Sequence, residues 1–331
     1  MDFLVIFIIA LALLFDFVNG MNDAANAIAT VVSTRVLSPR VAVLWAAFFN
    51  AVAAFGFGVA VANTIGKGIV DPAIVTPQLI LGALVGAIVW SHLCTVYGLP
   101  ISVSHSLIGG LVGAGVVKAG FGIVNLAGIT KVAVFIIVAP TLGLVFGFLL
   151  TVLTTWVFRR SSPRSVDNLF RVGQLVSSAA YSLGHGTNDA QKTMGIIAVL
   201  LYSTGHLDSF YVPTWVIFAA HGAIGLGTYF GGWKVIRTMG VKLTHLRPVG
   251  GFCAETGGAV LLLGTAMAGI PVSTTHTIAG AIMGVGATRR LSAVRWGIAG
   301  NIVAAWILTI PVSAAISGFA YWALGALFGQ F

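Results

Sequence analysis

Long apolar stretches make up most of the chain, and only short polar or glycine-rich stretches separate them. Many of these stretches run to about 20 residues, the length that an α-helix needs to cross a bilayer. Ten hydrophobic segments are predicted, at about residues 2–33, 41–63, 78–97, 100–118, 131–158, 172–201, 212–231, 248–268, 271–288 and 292–327. The pattern predicts an all-α integral membrane protein, because segments of this length exceed the strands of a membrane barrel.

Two polar motifs interrupt the apolar pattern, and each occurs twice in the same order. Residues 20–26 (GMNDAAN) share the core Gly-x-Asn-Asp-Ala with residues 186–192 (GTNDAQK), 166 positions later. Residues 98–110 (GLPISVSHSLIGG) resemble residues 269–281 (GIPVSTTHTIAGA), 171 positions later. Two separate motifs that recur in order indicate an internal duplication.

We therefore divide the chain into a first repeat at residues 1–158, a polar linker at 159–171 and a second repeat at 172–331. Each repeat holds five of the predicted segments. Because five is an odd number, the second repeat must enter the membrane from the opposite side. The sequence thus predicts two inverted-topology repeats, an arrangement found in many secondary transporters.

Composition agrees with a membrane protein. The chain is 58% hydrophobic and 8% charged, whereas soluble domains carry roughly 25% charged residues. The N-terminus lacks a basic region and a small-residue cleavage site, so the first segment is interpreted as a retained helix rather than a signal peptide. Cys94 and Cys253 lie in apolar segments and indicate neither a disulfide framework nor a metal site.

The net charge of +9 lies mainly in short loops, where it predicts orientation rather than nucleic-acid binding. With the N-terminus outside, the inside loops carry most of the basic residues: Arg35, Arg40, Arg159, Arg160, Arg164, Arg171, Lys234, Arg237, Lys242, Arg247, Arg289, Arg290 and Arg295. The outside loops carry Lys67, Lys118 and Lys131. This bias predicts that both termini lie outside.

Four carboxylates are predicted inside the membrane segments: Asp16, Asp23, Asp189 and Glu255. A charged side chain at the bilayer centre costs about 2.5–3.5 kcal/mol on insertion scales, so each needs a reason. Lys192 is the only basic residue of the motifs, and it could pair with Asp189 or bind an anion. Glu255 could be a packing carboxylate paired with Arg247, and Asp16 could be structural.

The first and sixth segments are longer than the bilayer is thick. As straight helices they would be about 48 and 45 Å long, against a hydrocarbon core of about 30 Å. Steep tilt is one solution, and a break in each helix is another. The glycines favour breaks at Asn19–Asn22 and Gly184–Asn188, where the last asparagine of each would cap a second half-helix.

The Gly-x-Pro-x-Ser stretches at 98–106 and 269–277 carry no charge. The segments that they join either cross the membrane fully or turn back as re-entrant hairpins. We favour hairpins, because Ser102, Ser104 and His105 would be out of place on a short exposed turn. Polar, non-helical backbone is tolerated at membrane depth where it lines a cavity.

Serine and threonine residues after the prolines are suited to cap helices. Ser102 or Ser104 can cap the second arm of the first hairpin, and Ser273 or Thr275 that of the second. Together with the helix breaks, four helix N-termini would meet, each with about half a positive charge. Backbone N–H groups and hydroxyls in this arrangement suit a tetrahedral oxyanion. The carboxylate and amide oxygens of the same stretches suit a hard cation.

These features favour a transporter that binds an anion and a cation together. A passive anion channel is disfavoured by the inverted repeats and the carboxylates, which suit alternating access. A membrane enzyme is disfavoured because the sequence has no nucleophile–base pair, metal-ligand cluster or cofactor motif. His105 and His276 are interpreted as orienting hydrogen-bond residues rather than as metal ligands.

Residues 20–26, 185–192, 254–256 (AET) and 271–277 (PVSTTHT) resemble the signature motifs of the inorganic phosphate transporter (PiT) family. The resemblance covers nearly the whole chain. It implies a cation-coupled phosphate symporter that forms a homodimer and binds its substrates between the repeats. It also implies cation or phosphate contact for Asp23, Asn26, Asn188, Asp189, Ser104, Thr274 and Thr275.

The expected site therefore has three groups of residues. Phosphate-binding residues are expected at Asn22, Asn188, Ser102, Ser104, Ser273, Thr274 and Thr275. Cation-binding residues are expected at Asp23, Asn26 and Asp189, with sodium as a candidate ion at Asp23 and Asp189. Supporting residues are expected at Lys192, Glu255, His105, His276 and Asp16. No cofactor is expected beyond the co-transported sodium ion or proton.

One departure from the family lies in the first hairpin, where Val103 stands at the position of Thr274 and removes a hydroxyl. Bacterial members of the family include proton-coupled, sodium-coupled and sulfate carriers. The coupling ion therefore stays open, and a sulfate symporter of the same fold is the alternative function. The long central hydrophilic loop of some animal relatives is absent, and the expected location is a prokaryotic plasma membrane.

Overall fold

The computed structural model describes residues 2–56, 58–69 and 74–329. Within these ranges the α-helices are α1 Phe3–Ser33, α2 Pro39–Val52, α3 Ala60–Gly68, α4 Pro77–Tyr97, α5 Val103–Ala119, α6 Leu126–Val157, α7 Pro163–Ser203, α8 Thr214–Phe230, α9 Trp233–Arg237, α10 Pro248–Met267, α11 Thr274–Ala287 and α12 Trp296–Phe328. A π-helical turn at Thr238–Lys242 follows α9. The predicted all-α architecture is confirmed.

Five helices, α1, α4, α6, α10 and α12, are long and apolar enough to cross a membrane by length and composition. The bent pair α2–α3 is a sixth candidate, and α5 is a shorter apolar helix. These helices carry many large apolar side chains on their outer faces, such as Ile137, Leu149 and Trp322. An apolar exterior of this kind is what a lipid solvent requires.

The predicted segment 41–63 is not one straight helix. The helix from α2 through the following 3-10 turn is bent by 85° from α3. Gly58 in the connection has a φ of 69°, which glycine adopts without strain. The side-chain oxygen of Gln191, on α7, accepts hydrogen bonds from the backbone N–H groups of Val61 at 2.8 Å and Ala62 at 3.3 Å. A side chain of the second repeat therefore caps the first turn of α3.

The predicted breaks at Asn19–Asn22 and Gly184–Asn188 are wrong. Helices α1 and α7 run through both stretches without interruption. Asn22 and Asn188 are consequently not N-caps, and both side chains project from the middle of their helices. Of the four helix N-termini that the sequence predicts, the structure has only the two from the hairpins.

The motif glycines permit close helix crossing rather than helix breaks. A Cβ atom on Gly20 would lie 2.2 Å from the carbonyl oxygen of Ile224, on α8. A Cβ atom on Gly186 would lie 2.7 Å from the carbonyl oxygen of Asn50, on α2. Small residues let helix backbones in membranes approach in this way. The first helix of each repeat therefore packs tightly on the second helix of the other repeat.

A helix begins inside the range 159–171 that the sequence assigns to the polar linker. Helix α7 begins at Pro163, and the side chain of Ser162 accepts a hydrogen bond from the backbone N–H of Ser165 at 3.3 Å. Proline in the first turn behind a serine cap is a favourable helix start. The polar residues beyond Pro163 thus form the largely exposed first turns of a 41-residue helix.

The two repeats interleave. Helix α6, the last of the first repeat, packs on α10 and α11, and α12 packs in the same way on α4 and α5. Both contacts are close: a Cβ atom on Gly280 would lie 2.1 Å from the carbonyl oxygen of Pro140, and one on Gly113 would lie 2.0 Å from that of Ala314. Each hairpin is therefore covered by a helix from the other repeat. The repeat boundaries themselves stay a prediction from the sequence.

The turns of the two hairpins meet in the interior. Residues 100–106 and 271–277 are buried throughout, whereas Leu99 and Ile270 beside them are half-buried. The hydroxyl of Thr275 donates to the carbonyl oxygen of Ile101 at 2.8 Å, and this bond joins one turn to the other. The meeting of two turns from inverted repeats favours the re-entrant arrangement, which stays a prediction.

The inverted topology requires that α7 cross the membrane, and this crossing can be tested with single cysteines at the two ends of α7. Ser161 and Asp208 are exposed, whereas the native Cys94 and Cys253 are buried and should label poorly. We expect a membrane-impermeant maleimide to label Ser161→Cys from the cytoplasmic face and Asp208→Cys from the opposite face. Labelling of both positions from one face would contradict the inverted-repeat topology.

Candidate functional site

Two buried carboxylates, one from each repeat, lie at the centre of the molecule. Asp23 projects from α1 and Asp189 from α7. The hydroxyl oxygen of Thr274, in the first turn of α11, lies 3.0 Å from Oδ2 of Asp23 and 3.1 Å from Oδ2 of Asp189. A threonine hydroxyl has only one proton to donate. It can therefore satisfy one of the two carboxylates at a time.

The next threonine extends this network. The Thr275 hydroxyl lies 3.1 Å from Oδ1 of Asp23 as well as 2.8 Å from the carbonyl oxygen of Ile101. Nδ2 of Asn26 donates to the Thr275 hydroxyl at 2.9 Å. The amide oxygen of Asn26 is buried and has no hydrogen-bond partner. It is a further oxygen that could bind a cation beside Asp23.

Both hairpin helices begin at this centre. The side chain of Ser102 accepts a hydrogen bond from the backbone N–H of His105 at 3.3 Å, and Ser273 accepts one from His276 at 3.2 Å. These two serines are thus the N-caps among the alternatives that the sequence left open. The N-termini of α5 and α11 place partial positive charge next to the carboxylates.

Lys192 pairs with Asp189 and is not free to bind an anion in this structure. Its ammonium group donates to Oδ1 of Asp189, to the hydroxyl of Ser104 and, at 3.2 Å, to the carbonyl oxygen of Val272. The 166-residue offset of the repeats places Lys192 at the position of Asn26. Each of these two side chains bonds a hydroxyl in the first turn of the opposite hairpin helix. The two repeats therefore make the same contact, but the side chain that makes it is neutral in the first repeat and positively charged in the second.

His185 was not assigned a role from the sequence, yet it completes the central cluster. Its Nε2 atom lies 3.3 Å from Oδ2 of Asp189 and 3.7 Å from Oδ2 of Asp23, while Nδ1 lies 3.1 Å from the amide oxygen of Asn50. Its spacing of one helical turn before Asp189 was the signal that could have identified it. One ligand atom from each of Asp23, His185 and Asp189 lies within 4.8 Å of the others, close enough for one cation to bridge them.

The two motif asparagines have different surroundings. Nδ2 of Asn22 donates to the hydroxyl of Thr95 at 2.8 Å. Asn188 is fully buried, and neither its amide nitrogen nor its amide oxygen has a partner. The 171-residue offset places Ala266 at the position of Thr95, so the second repeat has no matching hydroxyl. Asn188 therefore has both a donor and an acceptor for a ligand.

Comparison with known proteins identifies the chain. A model described as the phosphate transporter family matches residues 19–317. The chain belongs to the phosphate transporter family. It is 59% identical to a probable low-affinity inorganic phosphate transporter of Rhizobium meliloti (strain 1021), over 97% of this chain and 96% of the relative. It is 44% identical to a protein of the same description from Bacillus subtilis (strain 168), over 98% of both chains.

The fold of this phosphate transporter is also found in a solved structure. The structure described as the sodium-dependent phosphate transporter superimposes with a TM-score of 0.87 at 29% identity, over 99% of this chain and 100% of that one. The family and the apolar helices together define a multi-pass protein of the plasma membrane, and its family members are transporters rather than enzymes.

Glu255 of the transporter lies outside the central cluster and has no basic partner among the described residues. The alternative that paired it with Arg247 is not realised. Its carboxylate instead accepts hydrogen bonds from the hydroxyls of Thr30 and Ser177 and, at 3.2 Å, from the amide nitrogen of Gln174. This buried carboxylate joins α1, α7 and α10 through neutral donors.

The histidines of the two hairpins pack against each other. The rings of His105 and His276 lie 4.9 Å apart, edge to face, and the ring of His276 stacks on Trp306 at 3.8 Å. The indole N–H of Trp306 donates to the carbonyl oxygen of Pro100 at 3.0 Å. In this transporter the three rings thus fix the hairpin turns relative to one another and to α12.

The buried pair of Lys192 and Asp189 gives a stability prediction. Lys192→Met should remove the ammonium partner of the buried Asp189 carboxylate and reduce the free energy of unfolding by about 3–5 kcal/mol. The double variant Asp189→Asn/Lys192→Met should recover a large part of this loss. Thermal unfolding in detergent measures both. The control Lys131→Met, at an exposed position, should change stability by about 0.5 kcal/mol or less. A Lys192→Met variant as stable as this control would contradict the pairing.

Proposed function

We propose that this transporter is a symporter that binds inorganic phosphate and a cation together between its two repeats. The observation that carries the proposal is the sharing of the Thr274 hydroxyl by Asp23 and Asp189 at the N-terminus of α11. Carboxylates from both repeats thus meet the donors that an anion would use. A movement of α1 relative to α11 would break the contact between Asp23 and Thr274.

The anion would bind where the hairpin helices begin. The first N–H groups of a helix lack intrahelical partners and attract anions, and hydroxyls add donors in other directions. The proposed phosphate ligands are Ser102, Ser104, Ser273, Thr274, Thr275, Asn22 and Asn188, with Lys192 as the supporting positive charge. Asn188 is the ligand with the strongest support, because its buried amide has no other partner.

The cation would bind at Asp23, Asn26 and Asp189, the oxygen donors beside the anion. Two like charges about 4 Å apart repel by about 4 kcal/mol at an effective dielectric constant of 20. Lys192, two helix N-termini and His185 when it is protonated offset about three of the four negative charges of dianionic phosphate and two carboxylates. A sodium ion or a proton that enters with the anion supplies the missing positive charge.

The hydrogen bonds give a second physical reason for coupling. The hydroxyls of Thr274 and Thr275 lie within donating distance of the carboxylates. If phosphate accepts these protons instead, Asp23 loses both of its hydroxyl donors and Asp189 loses one, and lost donors are costly for buried acceptors. A cation at the carboxylates replaces the donors that the anion takes. Anion and cation therefore each favour the binding of the other.

The proposal also concerns which cation is coupled, which anion is preferred and whether the protein forms a dimer. The solved relative is described as sodium-dependent, which makes sodium a candidate ion at Asp23 and Asp189. Phosphate near neutral pH has a proton to donate and sulfate does not, so carboxylate acceptors favour phosphate over sulfate. A homodimer stays a prediction of the family resemblance.

Removal of the two hydroxyls tests the anion site. Thr274→Ala/Thr275→Ala leaves buried groups unpaired at about 1–3 kcal/mol each, so phosphate affinity should fall about tenfold or more. Thr141→Ala, at an exposed position whose hydroxyl bonds only its own helix, is the matched control. Binding of labelled phosphate to purified protein measures the effect. Unchanged affinity in the double variant would reduce the hydroxyls to a capping role.

Transport in proteoliposomes tests the coupling. Labelled phosphate and labelled sulfate are offered separately, with a sodium gradient or a proton gradient imposed one at a time. We expect concentrative uptake of phosphate only with a cation gradient, and cation and phosphate should raise each other's affinity by the same factor. Asp23→Asn should abolish concentrative uptake, whereas the exposed Asp167→Asn should not. Phosphate affinity that is indifferent to both sodium and pH would overturn the coupled site.

A further inference from the structure

Asp16, on α1, differs from the other buried carboxylates of the described residues. It is fully buried, and neither carboxylate oxygen makes a hydrogen bond. Asp23, Asp189 and Glu255 all accept hydrogen bonds. An ionised carboxylate without a donor is strongly unfavourable in a dry interior. A bound proton or cation would therefore stabilise Asp16 in this conformation.

Among the described residues, the groups around Asp16 include no basic partner that is free to pair with it. Its polar neighbours are Asn19, on the same face of α1, and Thr193, on α7. The titratable groups that face it are Asp189 and His185, both of the central cluster. The negative charge of Asp189 opposes a second negative charge nearby, and His185 is already held between Asp189 and Asp23.

A proton fits these neighbours better than a metal ion. The amide oxygen of Asn19 and the hydroxyl of Thr193 are buried and have no partner. A neutral carboxylic acid has an O–H group to donate to an acceptor such as an amide oxygen, which an ionised carboxylate lacks. A metal cation would need several more oxygen ligands than Asn19 and Thr193 supply.

The second repeat indicates that packing does not require an acid at this position. The 166-residue offset places Ser182 of α7 at the position of Asp16, and Ser182 is also fully buried. A small neutral side chain is therefore compatible with this part of the repeated fold. Asp16 also lies seven residues before Asp23, about 10 Å along α1, toward the end that the loop charges place outside.

We propose that Asp16 carries a proton that is transported together with phosphate. This proposal rests on the proposed phosphate symport. When the site faces outside, one oxygen of Asp16 takes a proton from a hydronium ion, which becomes water. When the site faces inside, this O–H bond breaks, because water can hydrate the ionised carboxylate. The proton then leaves to water. Because Asp16 faces Asp189 and His185, its neutralisation makes the central site less negative as phosphate enters. By linkage, bound phosphate raises the proton affinity of Asp16 by the same factor.

The experiment separates exchange from accumulation in proteoliposomes. Exchange of labelled for unlabelled phosphate at equal pH on both sides reports phosphate transport itself. Accumulation driven by an inward proton gradient, without sodium, reports the coupling. The variants are Asp16→Asn, Asp16→Ser, which copies the second repeat, and Asp16→Glu, which keeps a titratable group. The control is Asp208→Asn, in an exposed loop.

We expect Asp16→Asn and Asp16→Ser to keep exchange near the wild-type rate, while proton-driven accumulation falls by about tenfold or more. Asp16→Glu and the control should retain both activities. Proton-driven accumulation that survives in Asp16→Asn or Asp16→Ser would overturn the proposal. Loss of exchange in all three Asp16 variants would also overturn it, because it would indicate a structural role.

The wild type separates this proposal from the one on which it rests. Absence of phosphate exchange would refute phosphate transport itself. Exchange without any proton-driven accumulation would refute only the role of Asp16. Accumulation that follows a sodium gradient at equal pH and is lost in Asp16→Asn would assign a sodium ion rather than a proton to this residue, and would likewise refute the proposal.

Discussion

At the centre of the structure, two buried carboxylates compete for the single proton of one hydroxyl group. Asp23 and Asp189 come from different repeats, and both lie within hydrogen-bond distance of the hydroxyl of Thr274, which has a single proton. A second hydroxyl, an ammonium group and an imidazole surround the same two carboxylates. These polar contacts hold helices α1, α7 and α11 together. A bound anion or cation can replace them with contacts to itself. The interaction that stabilises this buried centre is therefore also the one that the proposed substrates would replace.

The continuity of α1 and α7 determines how much positive charge the centre has. Because neither helix breaks at its motif, only the hairpins contribute helix N-termini, and each of these ends carries about half a positive charge. Lys192 adds one full charge but is paired with Asp189. A dianion would meet a site that is already close to neutral or negative. Two helix N-termini supply less positive charge than the four that the sequence predicts. The need for a co-transported cation is therefore stronger.

The duplication supplies the geometry of the site, and differences between the two copies supply its chemistry. Asn26 and Lys192 occupy equivalent positions and make equivalent contacts, but only one of them is charged. Thr95 and Ala266 also occupy equivalent positions, and the loss of the hydroxyl leaves Asn188 without a partner. Two identical inverted repeats would present the same site to both sides of the membrane. Such substitutions make the two sides of the centre chemically different.

The sequence alone determined the membrane class and the inverted duplication, and it narrowed the hairpin caps to Ser102 or Ser104 and to Ser273 or Thr275. These follow from apolar length, repeated motifs and local capping, which depend on neighbours in the chain. Tertiary structure alone decided that the helices stay whole, because a glycine weakens a helix by only about 1 kcal/mol and close packing overrides it. It also decided the place of His185 and the contact of Asn26 with Thr275, 249 residues apart. Contacts at that separation depend on how the helices of the two repeats, α6 and α12 among them, pack between one another. No local sequence pattern encodes this packing.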